Sequence, residues 1–185
     1  EIVAGYSPQQ IGFIMGAGAI SMSIAGVFCG YLSDKFGPFI FSVGGFLVTV
    51  VGLYVLTNLT VNATWPLAFI GILCINMASG IFFGPNNKQI FGSVSPNFHG
   101  VISGFMHTTR NSSSAIGISI GTAIATSVMA YMGYEPTISD LSNDTGVSVL
   151  GAFVRGMKFV FYGGMAVSIL GIFVLVLGGR SKVNN

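Results

Sequence analysis

The sequence predicts an all-α polytopic membrane protein, a transmembrane bundle of five helices. Three observations carry this. Of 185 residues, 52% are hydrophobic and only 6% are charged, against about 25% charged in a soluble domain. The charges fall at 1, 34, 35, 88, 110, 135, 140, 144, 155, 158, 180 and 182, leaving uncharged runs at 2–33, 36–87, 89–109, 111–134 and 159–179. Each run is long enough to cross a bilayer, which takes about 20 apolar residues.

The expected spans cover about 9–32, 39–57, 65–84, 100–132 and 151–177. Ser7-Pro8 opens the first, because serine caps a helix and proline suits its first turn. Gly37-Pro38 opens the second. The long run 36–87 is broken by the polar turn Asn58–Thr64, and Trp65-Pro66 then begins the third span, with Trp65 placed as an interfacial anchor. The fourth, Gly100–Met132, holds Arg110 near its middle. A polar stretch with Glu135, Asp140 and Asp144 leads to the fifth, Gly151–Leu177, which carries Arg155 and Lys158 in its first turns.

Lys35, Lys88, Arg180 and Lys182 lie on one side, Arg155 and Lys158 on the other. The excess of positive charge marks the cytoplasmic side, so the Ser33–Pro38 turn, the 85–99 loop and the C-terminus are expected there. Sequons at Asn58, Asn62 and Asn143 then face outward. A net charge of +2 without a basic patch argues against a nucleic-acid partner. Cys29 and Cys74 sit in apolar runs and suggest neither a disulfide framework nor a metal site. The chain starts at Glu1, close to its first apolar run, and reads as a piece of a longer protein.

Helices in lipid associate through small residues that allow close approach. Gly12/Gly16, Gly26/Gly30, Gly80/Gly84, Gly100/Gly104 and Gly117/Gly121 all have G-x-x-x-G spacing. Among 27 glycines any one pair arises easily by chance, but five together suggest closely packed helices.

Arg110 is the sharpest functional signal. Eight Leu, Ile, Phe or Val residues between Val101 and Val128 contribute about −0.3 to −0.6 kcal/mol each to insertion, while a central arginine costs about +2.5 to +3.5. The sums nearly cancel, so this helix is expected to turn its polar side to protein or to a water-filled cavity. His107, Arg110 and Asn111 are spaced three and four apart and project from one side. They form either a lining that contacts substrate or couples charge, or a structural arginine bonded to backbone carbonyls nearby. Asn76 is a second polar residue at membrane depth, suited to a cavity or to an interhelical hydrogen bond. Met77, Phe82, Phe83, Phe105 and Met106 would serve as an apolar substrate wall or as plain packing. No acidic residue lies within a span, so a buried carboxylate for proton coupling would belong to chain outside this sequence, unless His107 takes that part. His99 and His107 lack metal-ligand spacing. With no nucleophile–base set either, neither an enzyme nor a cofactor is expected.

The turn Gly30-Tyr31-Leu32-Ser33-Asp34-Lys35-Phe36-Gly37-Pro38 packs two glycines, an acid and a base into a short connection, where Asp34 can cap the next helix. It resembles the G-x-L-x-D-[KR]-x-G signature of the major facilitator superfamily. Gly5–Gly12, and Val94–Gly104 leading into Arg110 and Gly117, resemble the drug:proton antiporter branch with fourteen spans, the EmrB/QacA type. His107 and Ser112-Ser113-Ser114 depart from that branch, which commonly has Asn and a bulkier continuation. The resemblance implies the last five helices of a C-terminal half, in the plasma membrane. It implies proton-coupled efflux of lipophilic or cationic compounds by alternating access, with Gly30, Asp34, Lys35 and Gly37 as a cytoplasmic latch. The partners implied are a small-molecule substrate, protons, the bilayer and preceding helices of the same chain. The alternative is a five-span scaffold or sensor subunit that transports nothing.

Overall fold

The computed structural model describes residues 7–60, 65–134 and 147–181. These form five α-helices in chain order: α1 (Pro8–Phe36), α2 (Pro38–Thr57), α3 (Trp65–Gly92), α4 (His99–Tyr131) and α5 (Val147–Ser181), with a 3-10 turn at Pro96–Phe98 before α4. All five are long and apolar enough to cross a membrane. Glu135, Asp140, Asp144, Lys182 and the sequons at Asn62 and Asn143 lie outside the described residues.

Local chemistry explains the ends. Ser7 caps α1 in a reciprocal box: its Oγ accepts from the Gln10 amide at 3.3 Å, and its own amide donates to Gln10 Oε1 at 2.9 Å. The signature turn is tighter than expected. α1 continues through Phe36, so Ser33, Asp34 and Lys35 occupy its last helical turn, and Gly37 alone joins α1 to α2. Gly37 has φ 80° and ψ 150°, a conformation open essentially to glycine, and donates to the Ser33 carbonyl at 2.9 Å. It also occupies the N-cap of α2, which has no side-chain cap bond, and Pro38 takes the first helical position.

α3 runs past the boundary expected at Gly84, through Pro85, to Gly92. A proline inside a helix forfeits one backbone hydrogen bond. Membrane helices tolerate this where neighbouring protein surrounds the break, and Pro85 is among the most fully buried side chains. α5 is also longer than expected at both ends, and its 35 residues make it about 50 Å long at 1.5 Å per residue.

Contacts divide the described chain into two compact units. The first holds α1, α2, most of α3 and the second half of α5. Its tightest seam joins α1 to α3. A Cβ on Gly80 would overlap the Met22 carbonyl oxygen and lie 2.9 Å from the Gly26 nitrogen, and a Cβ on Gly84 would overlap the Gly26 carbonyl. The expected Gly26 and Gly80/Gly84 pairs thus interlock. Farther along, Gly18 leaves room for the Asn76 amide, which would sit 2.9 Å from a Cβ there. Buried Ser33, Ser42, Thr57 and Ser168 each donate to a carbonyl of their own helix at 2.7–3.1 Å, which satisfies their hydroxyls without a partner helix.

The second unit spans 87–160 and is centred on α4 and the first half of α5. Ala125, Met129, Leu150 and Ala152 are buried. Gly156 packs against the backbone of Ala125, where a Cβ would approach the carbonyl oxygen to 2.8 Å. At Gly100, Gly104 and Gly117, where packing was expected, a Cβ would meet nothing within 4 Å among the described residues, and that face of α4 is exposed there. Gly121 differs, with a Val160 methyl 3.3 Å from its Cβ position.

Candidate functional site: the polar face of α4

α4 carries its polar residues on an open surface, and every residue from His107 to Ile120 is exposed. The Asn111 side-chain amide nitrogen lies 3.0 Å from His107 Nε2, within hydrogen-bond distance. The i, i+4 spacing brings the pair together, and Arg110, also exposed, stands beside them. A guanidinium offers five donors in a planar fork. Together the three side chains can hydrogen-bond an acceptor and present positive charge on a helix that carries no other Asp, Glu, Lys or Arg.

Further along α4 is a groove of about 400 Å³ between α4 and α5 within the second unit. Ser114, Gly117 and Gly121 line one side, and Phe153, Met157 and Val160 the other. Small residues on α4 leave the space, and the i, i+4, i+7 spacing on α5 supplies the apolar wall. Sequence reasoning did not find this groove. The spacing of Phe153, Met157 and Val160 was the available signal, but it has meaning only once α5 is set against α4.

Asn76 lies in the other unit. Its Nδ2 donates to the Ile72 carbonyl at 2.9 Å, so its hydrogen bond stays within α3 while the amide fills the space over Gly18. The apolar wall suggested for α3 and α4 also separates by unit. Phe82 packs edge-on against Phe46 at 5.3 Å and Phe83 at 5.4 Å, which is core packing, whereas Phe105 is exposed. In the signature turn Asp34 and Lys35 are exposed, and the Lys35 ammonium lies 5.7 Å from the centre of the Phe36 ring. Gly30 lies about one turn before that last helical turn and Gly37 directly after it.

Two further features escaped the sequence reading. His99 Nε2–H is shared between the carbonyls of Phe91 (3.2 Å) and Val94 (3.3 Å), and its ring meets Phe91 edge-on at 5.3 Å. It thereby satisfies one carbonyl in the last turn of α3 and one just beyond it. Near the start of α3, Trp65 meets Phe69 at 6.1 Å and Phe69 stacks on Phe13 at 5.8 Å, so the expected interfacial tryptophan belongs to a three-ring cluster.

Residues 1–118 match the family model of the Major Facilitator Superfamily. Three curated relatives are similar over parts of their length. The riboflavin transporter RibZ of Clostridioides difficile is 27% identical over 63% of this chain and 26% of its own length. The lincomycin resistance protein LmrB of Bacillus subtilis is 26% identical over 94% of this chain and 36% of its own length. The uncharacterized MFS-type transporter YhcA of the same organism is 30% identical over 84% and 29%. The chain therefore spans between about a quarter and just over a third of each of these relatives. No solved structure matches it significantly. With the family model covering well over half of its residues, and five helices fit to cross a membrane, the chain belongs to the major facilitator superfamily.

Proposed function

We propose that the protein containing this chain is a secondary transporter of the cell membrane that exports drugs or other small lipophilic or cationic compounds in exchange for protons by alternating access. The observation that carries this reading is the polar face of α4. His107, Arg110 and Asn111 stand exposed on a helix whose length and composition suit a membrane span, and ionisable groups at that depth mark substrate or ion pathways. Similarity to a riboflavin transporter and to a lincomycin resistance protein supports movement of organic solutes of moderate size.

In this reading the five helices are the last five of a C-terminal half in the fourteen-span branch. The signature turn and the C-terminus face the cytoplasm, and the substrate path is completed by preceding helices of the same chain. Arg110 and the His107–Asn111 pair contact substrate or couple charge, and Asn76 contributes from α3. Gly30, Asp34, Lys35 and Gly37 form the latch. Gly37 fixes the geometry of that latch, because its backbone conformation holds the end of α1 and the start of α2 within one residue.

The test is flux in proteoliposomes holding the full-length protein. An imposed pH gradient should drive uptake of a lipophilic substrate against its concentration, and a protonophore should stop it. Uptake indifferent to the proton gradient would remove the coupling, and absence of any flux would remove the transport reading.

A further inference from the structure

α4 and α5 are both longer than the membrane they cross. Their 33 and 35 residues make each about 50 Å long at 1.5 Å per residue, against a hydrocarbon layer of about 30 Å. Tilting alone would have to exceed about 50° to hide the excess, beyond the range of about 0–40° that membrane helices adopt. Part of each helix therefore stands outside the hydrocarbon, and two unrelated features mark where it leaves. On α4 the mark is exposure. Val101, Phe105, Ile116, Ile118 and Ile120 are large apolar side chains left exposed on either side of the polar segment His107–Ser114. From Gly121 to the end of α4 the exposed residues are Thr122, Ala123, Ser127, Ala130 and Tyr131, none of them a large aliphatic. On α5 the mark is charge. Arg155 and Lys158 precede an uncharged run, 159–179, about 31 Å long. From Val149 to Lys158 the only exposed residue is Arg155, and exposed large apolar side chains begin at Phe159.

The two marks fall at one level. Gly121 follows Ile120, Val160 follows Phe159, and a Val160 methyl lies 3.3 Å from the Cβ position of Gly121. Farther out the same pairing continues where Gly156 meets the backbone of Ala125. A hydrocarbon layer fitted to 101–120 on α4 leaves Arg110 at mid-depth. Fitting it to 111–131 instead would spare Arg110 but, through the Ala125–Gly156 contact, would draw Arg155 and Lys158 inside, and two central cations cost about twice as much as one.

We infer that the paired ends of α4 (121–131) and α5 (147–158) form a helical extension that rises about 15–18 Å out of the hydrocarbon and faces water and lipid headgroups. The lengths kept inside are 101–120 and 159–179. Lys158 then sits at the boundary, where a long cationic side chain reaches the headgroups, and Phe159 begins the lipid-facing surface. The same boundary places the groove between α4 and α5. Ser114, Gly117 and Ile118 line its deep end and Ala125, Thr126 and Phe153 its far end, so it crosses the headgroup level. The inference needs only that the chain spans a membrane, and it stands or falls apart from the transport reading.

The experiment is electron paramagnetic resonance of single spin labels on the full-length protein in liposomes, with its native cysteines, Cys29 and Cys74 included, replaced by serine. Each label is scored by its accessibility to oxygen, which concentrates in hydrocarbon, relative to a neutral water-soluble nickel chelate. Two exposed sites are labelled on each side of the α4 boundary, so that one poorly folding variant does not decide the result: Ile116→Cys and Ile118→Cys within the layer, Ser127→Cys and Ala130→Cys on the extension. On α5 the pair is Val167→Cys and Arg155→Cys. Oxygen should dominate at 116, 118 and 167 and the nickel chelate at 127, 130 and 155, with the crossover between Ile120→Cys and Ala123→Cys. Oxygen dominance at both Ser127→Cys and Ala130→Cys would place the hydrocarbon over 111–131 and overturn the proposal. Exclusion of both reagents from those two sites would overturn it as well, by making the extension a packing face for another helix, as would nickel dominance reaching back to Ile116→Cys and Ile118→Cys.

Discussion

Arg110 sets the energetics of α4. A guanidinium at the centre of a span costs about +2.5 to +3.5 kcal/mol for insertion, where a leucine contributes about −0.3 to −0.6. An isolated α4 segment carrying Arg110→Leu should therefore insert more readily by about 3 to 4 kcal/mol, as read by glycosylation mapping of a reporter helix. An unchanged insertion equilibrium would mean that Arg110 already escapes the apolar region, and its functional assignment would lose its basis. The His107–Asn111 bond is a local consequence of i, i+4 spacing and was legible in the sequence as a shared face. The groove beyond Ser114 was not, because half of it is built from α5, and a linear pattern does not say which helix lies opposite.

Among the elements, the α1–α2 connection and the α1–α3 seam place the firmest limits on substitution. Gly37 has φ 80° and ψ 150°, and any side chain there stores strain of about 1–3 kcal/mol. Gly37→Ala should lower the thermal midpoint of the full-length protein, whereas Gly12→Ala, which meets open space, should not. Gly80→Ala forces a Cβ onto the Met22 carbonyl, and overpacking of this kind costs about 1–3 kcal/mol. Equal stability of the Gly80→Ala and Gly12→Ala proteins would show that the seam relaxes freely. For the proposed latch, Asp34→Asn should slow turnover while leaving substrate affinity near that of the parent protein, and a fall in affinity at normal turnover would contradict the latch. The hydrophobic runs and proline–glycine punctuation made all five helices legible, along with the cap at Ser7. Glycine spacing singled out Gly26/Gly30 and Gly80/Gly84, of which Gly26, Gly80 and Gly84 interlock, but equally Gly100/Gly104, which meet nothing within 4 Å among the described residues. Spacing reports the capacity for close approach, while the partner comes from tertiary structure. The third span was expected to end at about Gly84, yet α3 continues through Pro85, because a helix breaker in water is tolerated where its ring is buried.

On the scale of the whole molecule, this chain supplies five helices fit to span a membrane and aligns with a quarter to just over a third of each curated relative. Family membership accounts for the signature turn and for the scarcity of charge. The proposal adds that the exposed polar face of α4 is turned toward a solute path completed by the rest of the protein. The most direct test is efflux of a lipophilic substrate from energised vesicles bearing the full-length protein or its Arg110→Ala variant at matched membrane abundance. The account predicts that the variant inserts normally and that its efflux falls to the level of empty vesicles; efflux equal to that of the parent protein would take Arg110, and with it the α4 face, out of the transport path.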